Sequence, residues 1–536
     1  MLQLPPELIV TTLSHATLID VICKTLDTII NESTVLQYLI ELGCAGYVDG
    51  NYDKGTLQQH ERLGRLIEVE SAWRRFSLET KMKLKMSGLD ILRFSSIFED
   101  MTSETWNLAH TQPAVKAVCD VTIDPGSDLL LLVEYRDEDE GIDGGSWIYD
   151  FHIRSLSTCL PHPAARQSVI THSTPHEIGI IATTVIVEDF FLVILSCISR
   201  DDESGELIVW NWKTGKKVAC LKGSFPSVAT CTFLSPTVFV VPQTSQTAEE
   251  TLKAYLAVYA IPSSEEGGVA TPCLLAIYNF PVFSPKVVQC AMVVQFNPVP
   301  YPRNVAQAGD GFGKNPIRQS FSKPFYVDPL KRIFVIGMEA IYRRSSVMSQ
   351  TEGFTVFLHS DAFIKLLGEQ TVRTGLPSKS TGKNFKWDEY SKYARMTEHR
   401  PRKALRYLDY IEDRLHIWDF SPYPANRKQP LTRASFGDDQ EETVTFNKGG
   451  EECSTSANDD RYMLNARPIG RRPAGLTESN WTSPRPAVIE NAVSQHKVWS
   501  SLPYQRVTSR TKFDDLDSVM MDDERIILFK LGGRYA

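Results

Sequence analysis

The residues whose types and spacing could do chemistry fall in three short stretches of the chain. The first, "GDGFGK" at residues 309–314, has the glycines of a phosphate-binding loop. Such a loop needs a Gly-Lys-Ser/Thr step between a strand and a helix. Here Lys314 is followed by Asn315 and Pro316, and no helix pattern follows. Nucleotide binding is therefore not expected at this loop.

The second stretch, "RDEDEGIDGGS" at residues 136–146, has enough carboxylates for a calcium loop. Counted from Asp137, the position that needs a bidentate Glu is occupied by Ile148. The stretch is therefore interpreted as a solvated acidic hairpin.

The third stretch contains His162, His172 and His176 in "PHPAARQSVITHSTPHEIG". Metal sites use closely spaced ligands on rigid elements with supporting hydrogen bonds. These histidines lie in a proline-rich connection, so they are interpreted as ordinary loop residues. No GxSxG or HExxH motif is present. The sequence thus predicts no catalytic, cofactor or metal site, although a Ser/His/Asp site assembled across the fold stays open.

Bulk composition narrows the class of protein. The 536 residues are 42% hydrophobic and carry a net charge of −8, which disfavours broad nucleic-acid binding. No window approaches the roughly 20 apolar residues that span a bilayer, and the leading stretch lacks the pattern of a secretory signal. The ten cysteines are scattered without a CxxC pair. These features predict an intracellular protein, cytoplasmic or nuclear, with neither a membrane nor a nucleic acid as partner.

The elements that lead the chain have helical spacing. Residues 4–22 place apolar side chains at steps of three to five, and "STVLQYLIELGCAGYVDG" continues helically up to a Gly/Asp cluster. "TLQQHERLGRLIEVESAWRRFS" predicts an amphipathic helix whose apolar face carries Leu63, Leu66, Ile67, Val69, Trp73 and Phe76. We therefore predict two helical segments, residues 1–45 and a linker domain at 46–112.

These leading residues resemble the amino terminus of fungal, basidiomycete-type F-box proteins. The likeness rests on "LPPELIVTTLSHATLIDVI", on residues 36–42 and on residues 72–74, in that order. It implies that the helices dock on a Skp-type adaptor of a cullin–RING ubiquitin ligase. The residues that would make this contact are Leu4, Pro5, Glu7, Leu8, Ile9, Leu13, Leu18 and Ile22.

One departure from the family pattern leaves an alternative open. "DVICKTLDTII" is about five residues shorter than its counterpart in the family, which would rotate the downstream face by roughly 140° at about 100° per residue. The same apolar residues could instead pack within this chain's own core. A propeller scaffold without ligase function is therefore the alternative, and a propeller enzyme is a more distant one.

From residue 113 onward the pattern changes to short strands. Six strand–turn–strand units begin near residues 123, 186, 233, 326, 407 and 520. "FSPKVVQCAMVVQF", residues 283–296, is a candidate for a seventh. The hairpins "SGELIVWNWKTGKKVACLKG" and "LHIWDFSP" resemble those of WD-type propellers.

We therefore predict a multidomain α plus all-β protein, with a six- or seven-bladed β-propeller over 113–536. Closure should pair residues 525–531 with strands near 115–135. Residues 298–324 and 421–500 are predicted long loops, the latter mostly disordered. The propeller would present an unidentified protein substrate to the ligase, and catalysis would belong to the partner enzyme.

Overall fold

The computed structural model describes residues 29–397 with short gaps and one long gap at 296–323, and the strands between residues 406 and 529. The described chain is mostly β-sheet with few helices; five of its larger sheets have four antiparallel strands, and one has a fifth, parallel strand. None of the described sheets closes on itself into a barrel. The predicted combination of a leading helix with a mostly β-sheet chain is confirmed at this coarse level.

The leading part contains helical residues 29–32, two longer helices and several short strands. Its elements are α1 (Thr34–Ala45), β1 (Tyr47–Asp49), α2 (Gln59–Arg75), β2 (Thr80–Leu84), β3 (Asp90–Leu92) and β4 (Thr105–Asn107). The Ser33 side chain caps α1 by accepting a bond from the Leu36 amide, and Gly46 ends the helix in the left-handed conformation at φ 75°. At the start of α2, Glu61 Oε2 accepts from the Gln58 amide at 2.8 Å.

The four strands at residues 47–107 differ from the helical linker predicted over 46–112. The segment Thr80–Leu84 alternates lysine with apolar residues, which is the period of a strand and not of a helix. β3 and β4 pair only with each other.

The first two large sheets follow each other along the chain. Sheet 1 contains β5 (Val118–Asp124), β6 (Leu129–Asp137), β7 (Ser146–Ser155) and β8 (Val169–Pro175). Sheet 2 contains β9 (Ile178–Val187), β10 (Phe190–Cys197), β11 (Ser204–Asn211) and β12 (Lys216–Ser224). In both sheets neighbouring strands are consecutive in the chain, so the hairpins predicted at β5–β6, β9–β10 and β11–β12 are confirmed. β6 and β7 also pair, while residues 138–145 of the acidic stretch between them lie outside the described residues.

Sheets 3 and 4 come next in the chain, and one strand near them pairs differently from the prediction. Sheet 3 contains β13 (Thr232–Ser235), β14 (Val238–Gln246), β15 (Leu252–Ala260) and β16 (Cys273–Asn279). Sheet 4 contains β17 (Val287–Gln295), β19 (Ile333–Arg343), β20 (Ser349–His359) and β22 (Ala394–Thr397). The intervening β18 (Phe325–Val327) does not form the predicted hairpin with β19, because it pairs with β1 instead.

The segment proposed as a seventh unit belongs to sheet 4. β17 lies within residues 283–296 and pairs with β19 over its whole length. Sequence pattern could not show this, because the two strands are separated by a long insertion. The described strands therefore form six large sheets.

A helical insertion in sheet 4, which the sequence reading did not anticipate, covers the junction with sheet 3. It contains α3 (Asp361–Leu367), α4 (Glu369–Thr374), β21 (Lys383–Phe385), α5 (Trp387–Tyr390) and a 3-10 turn (Ser391–Tyr393). β21 adds to sheet 3 as a fifth strand, parallel to β16. Tyr278 of sheet 3 is fully buried against Phe363, Phe385 and Tyr390 of this insertion.

Sheets 5 and 6 end the chain. Sheet 5 contains β23 (Arg406–Ile411), β24 (Arg414–Asp419), β29 (Tyr504–Lys512) and β26 (Thr477–Thr482). Sheet 6 contains β2, β25 (Arg461–Asn465), β31 (Arg525–Phe529) and β30 (Ser518–Met521). The predicted hairpins β23–β24 and β30–β31 are confirmed.

Sheet 6 combines strands from the early and the late part of the chain. The late strand β31 shares it with β2, and β25 lies between them. The sequence prediction paired residues 525–531 with strands near 115–135, and the structure instead uses Thr80–Leu84. The early strand was missed because residues 80–84 were assigned to a helical linker.

The predicted loops have mixed outcomes. Residues 298–323 lie outside the described residues. Within 421–500, predicted as mostly disordered, the structure has β25, β26 and a two-stranded sheet of β27 (Ala487–Ile489) and β28 (Val498–Ser500). Val498 belongs to the core of sheets 3 and 4, and the Ser500 hydroxyl accepts a bond from the Met396 amide at 3.1 Å.

The core lies between neighbouring sheets. Alternate residues of β10 face opposite neighbours: Phe191, Val193 and Leu195 pack on sheet 1, and Leu192 and Ile194 pack on sheet 3. Successive side chains of a strand point to opposite faces. Both faces of the sheet are buried, so "FFLVILS" is a continuous apolar run and not an alternating one. Sheets 1, 2, 3 and 4 therefore stack face to face in chain order.

Candidate functional site

The residues predicted to bind an adaptor lie outside the described part of the chain. Leu4, Pro5, Glu7, Leu8, Ile9, Leu13, Leu18 and Ile22 all precede residue 29, where the description begins. The candidate site is therefore built from the elements that follow them directly. These are α1, β1 and α2, which we call the helical unit.

The later elements of the F-box resemblance are used inside this helical unit. Leu36, Tyr38 and Leu42 of α1 are at most 3% exposed, and Leu66 of α2 is fully buried. They form one apolar cluster that also contains Phe325 of β18. In α1 and α2, apolar side chains that match the F-box pattern therefore pack in this chain's own core.

The helix pattern of α2 was only partly correct. Leu63 and Leu66 are buried as predicted, whereas Ile67 is 46% exposed. Two charged residues, Arg62 and Glu70, are buried in its place. A burial of this kind requires polar partners, which the sequence pattern alone did not identify.

A polar node fixes the two helices to each other. The Tyr38 hydroxyl lies 2.7 Å from Asp49 Oδ1 and 3.0 Å from the carbonyl oxygen of Pro324. Arg62 Nη1 donates to the same Asp49 oxygen at 3.1 Å, with its side chain only 3% exposed. Burial, and secondarily the Asp49 carboxylate, raise the pKa of Tyr38 well above its ordinary value. Tyr38 therefore stays a neutral donor.

The helical unit pairs with β18, the strand that precedes β19 of sheet 4 in the chain. β1 and β18 form a three-residue antiparallel ladder, and the Asp328 amide extends it by donating to the Gly46 carbonyl at 2.8 Å. The rings of Tyr47 and Phe325 meet edge to face at a centroid distance of 5.2 Å. The chain from Phe325 to Asp328 thus connects the helical unit to the strand β19 that follows.

The histidines considered as ligands have structural partners. His162 Nε2 donates to the Ser127 carbonyl at 3.0 Å, and its Nδ1 accepts from the Ala164 amide at 3.1 Å. His172 Nε2 lies 3.2 Å from Glu206 Oε2, which joins sheets 1 and 2. His176 lies outside the described residues. Over the part of the chain that the structure describes, no group of three or more His, Cys, Asp or Glu side chains could hold a metal ion.

Glu206 of sheet 2 accepts a hydrogen bond from His172 of sheet 1 and pairs with Lys222 of its own sheet. Its side chain is 6% exposed, and Lys222 Nζ lies 3.0 Å from its second oxygen. The hydrogen bond from His172, followed by the one from Lys222, lowers the pKa of Glu206 to about 2 against the opposing effect of burial. Sequence reasoning missed this site, because the three residues come from three different strands.

The chain matches no protein-family model, and no curated protein matches it. Among the described helices, none has both the length and the apolar character to cross a membrane. The described architecture is a helical unit that pairs with β18, together with mainly antiparallel sheets of four or five strands.

Proposed function

We propose that this chain is the substrate-binding subunit of a Skp/cullin/F-box-type ubiquitin ligase, with its sheets arranged as a β-propeller. The leading residues would bind the Skp-type adaptor, and the propeller would bind a protein substrate. The subunit itself would be non-enzymatic, since ubiquitin transfer would belong to the partner enzyme.

The stacking of the sheets supports the propeller. A four-stranded sheet with two apolar faces needs a neighbour on each side, and a ring of sheets supplies both. Sheets 1–4 stack in this way, and sheet 6 combines β2 from the start of the sheet region with β31 from its end. Such a shared sheet would close the ring without an exposed edge.

The single observation that carries the functional proposal is the hydrogen-bonded connection between the helical unit and β18, the strand that precedes β19 of sheet 4 in the chain. A ligase subunit must hold its substrate at a fixed position relative to the adaptor. The β1–β18 ladder and the bond from the Tyr38 hydroxyl to the Pro324 carbonyl join the helical unit to β18 and the residue before it through hydrogen bonds. The resemblance at residues 4–22 supplies the identity of the partner.

The test is co-precipitation of the full chain with a recombinant Skp-type adaptor. Leu8→Asp should abolish the interaction, because a charge in an apolar helix-in-groove contact removes an anchor and adds a desolvation cost. Val282→Asp is the matched control, since Val282 lies on the connection between β16 and β17 and is 47% exposed. Retention of adaptor by Leu8→Asp would contradict the assigned contact.

The second candidate is a propeller scaffold without ligase function. Two observations favour it: the shortened segment before Asn31, and the burial of Leu36, Tyr38 and Leu42 inside this chain. Reinsertion of about five residues after Ile22 restores the helical phase. Under this alternative the adaptor binds neither the natural chain nor the variant with this insertion. Binding by either one would favour the ligase subunit.

A further inference from the structure

The connection between β7 and β8 of sheet 1 is an exposed segment without regular secondary structure. It comprises residues 156–168, which we call the sheet 1 loop. Leu160 is 55% exposed, and Pro161, Pro163 and Arg166 are also exposed. The loop thus presents apolar groups and a guanidinium group to solvent.

The first half of this loop is held by hydrogen bonds to the β5–β6 turn. The Asp128 carboxylate accepts from the Ser155 hydroxyl at 2.5 Å, and from the amide and hydroxyl of Ser157, both at 2.8 Å. Leu160 returns to the strand end, where its carbonyl accepts from the Ser155 amide at 2.8 Å.

The second half of the loop is held by His162, which is 8% exposed. In addition to its bonds to Ser127 and Ala164, its ring meets Trp212 edge to face at 4.8 Å. The Ile153 carbonyl accepts from the His162 amide at 3.1 Å. The conformation of the loop is therefore set by the protein itself, before any ligand binds.

The turn between β11 and β12, residues 212–217, lies directly against this loop. The Arg166 amide donates to the Lys213 carbonyl at 2.7 Å. Gln167 covers Gly215 so closely that a Cβ at residue 215 would lie 2.7 Å from Gln167 Oε1. Residues 156–168 and 212–217 therefore form one continuous surface, which we call the loop–turn surface.

The loop–turn surface is basic on a protein that is acidic as a whole. Its two segments contain no Asp or Glu, while the chain carries a net charge of −8. Its cationic residues are Arg166, Lys213, Lys216 and Lys217. The Asp189 carboxylate lies 2.7 Å from Lys213 Nζ, whereas Arg166 and Lys216 are exposed to solvent.

We propose that the loop–turn surface binds an acidic segment of a partner protein. Carboxylates of this segment would face Arg166 and Lys216, and one apolar side chain would pack on Leu160. A surface whose backbone is already fixed loses little conformational entropy on binding. Charge complementarity adds association rate and specificity. This inference does not depend on adaptor binding by residues 4–22.

The experiment is selection of peptides from a random displayed library on the full-length protein, followed by affinity measurement on the enriched peptides. We expect enriched peptides that combine Asp or Glu with a Leu or another apolar residue, and whose binding weakens as salt is added. The double variant Arg166→Glu/Lys216→Glu should weaken their binding by about tenfold or more. Leu160→Asp should also weaken it.

Two matched variants serve as controls. Lys286→Glu reverses an exposed charge on the connection before β17, and Val282→Asp introduces a charge on the same connection. Neither should change peptide affinity, and all variants should keep the circular dichroism spectrum of the natural protein. The Arg166→Glu/Lys216→Glu protein should co-precipitate with a Skp-type adaptor as well as the natural chain does, so this test is separate from the ligase test.

Three results would overturn the proposal. The first is a selection that enriches no acidic peptides. The second is equal affinity of enriched peptides for the double variant and for Lys286→Glu. The third is that the natural protein binds phosphatidylserine vesicles or inorganic phosphate but no acidic peptide, and that the double variant loses this binding. This result would assign these cations to a lipid surface or a phosphate group.

Discussion

Replacement of Glu206 by Gln should lower the stability of the protein in a pH-dependent way. Glu206 lies in β11, accepts a bond from His172 of β8 and contacts Lys222 of β12. Removing its charge leaves the shape of the side chain nearly unchanged. The experiment therefore isolates the contribution of the Glu206 charge to its bonds with His172 and Lys222.

The size of the effect follows from the displaced pKa. A decrease from 4.5 to about 2 corresponds to about 3 kcal/mol, at about 1.36 kcal/mol per pKa unit. Lys222 is 78% exposed, and solvent screens its share. We therefore expect Glu206→Gln to reduce the free energy of unfolding by about 1 to 3 kcal/mol at neutral pH.

The sign of the pH dependence is fixed by the direction of the shift. The pKa of Glu206 is lower in the folded protein than in the unfolded chain, so below pH 4.5 the unfolded chain binds more protons. The stabilisation is complete above pH 4.5 and is lost as pH falls toward about 2. The difference between the natural protein and Glu206→Gln should shrink over the same range.

Urea unfolding followed by tryptophan fluorescence measures this difference, and Trp210 is a local probe because its ring lies 5.5 Å from that of His172. Glu369→Gln is the matched control. It removes a carboxylate that is 58% exposed and paired with Arg373 one turn away, a contact worth about 0.3–0.5 kcal/mol. An effect of Glu206→Gln that equals the control, or that is the same at about pH 7 and about pH 3, would refute the reasoning.

Three further predictions concern the packing of the fold. Tyr38→Phe should weaken the helical unit by about 1–2 kcal/mol, because the Asp49 carboxylate loses a donor; hydrogen exchange should rise in α1 and α2 but not in sheet 2. Arg332→Met should cost about 2–4 kcal/mol in urea unfolding, since its guanidinium donates at 2.7 and 2.6 Å to the carbonyls of Phe233 and Leu234 in the neighbouring sheet. Deletion of residues 1–90 should lower the melting temperature more than deletion of residues 1–79, because only the longer deletion removes β2 from sheet 6; equal melting temperatures would contradict that pairing.

The sequence predicted local elements better than their partners. Hairpins such as β5–β6 and β9–β10 were recognised because both strands and their turn are adjacent in the chain. Partners separated by long insertions were not recognised. β17 was assigned to a separate unit although it pairs with β19, and β18 was paired with β19 although its partner is β1.

The candidate sites divide in the same way. The leading apolar residues were identified by a motif that is contiguous in the chain. The Tyr38–Asp49–Arg62 node combines a helix, a strand and a second helix, and no spacing rule connects them. The loop–turn surface likewise depends on the Arg166 amide meeting the Lys213 carbonyl of another sheet.

The sequence by itself determined the change from helical to strand periodicity, the acidic net charge and most hairpins, because backbone geometry relates each of these to neighbouring residues. Only the tertiary structure decided that Thr80–Leu84 shares a sheet with β31, that Glu206 accepts a bond from His172, and that β1 pairs with β18. These contacts join residues far apart in the chain. Their free energy comes from burial and hydrogen bonding between sheets, which local periodicity does not encode.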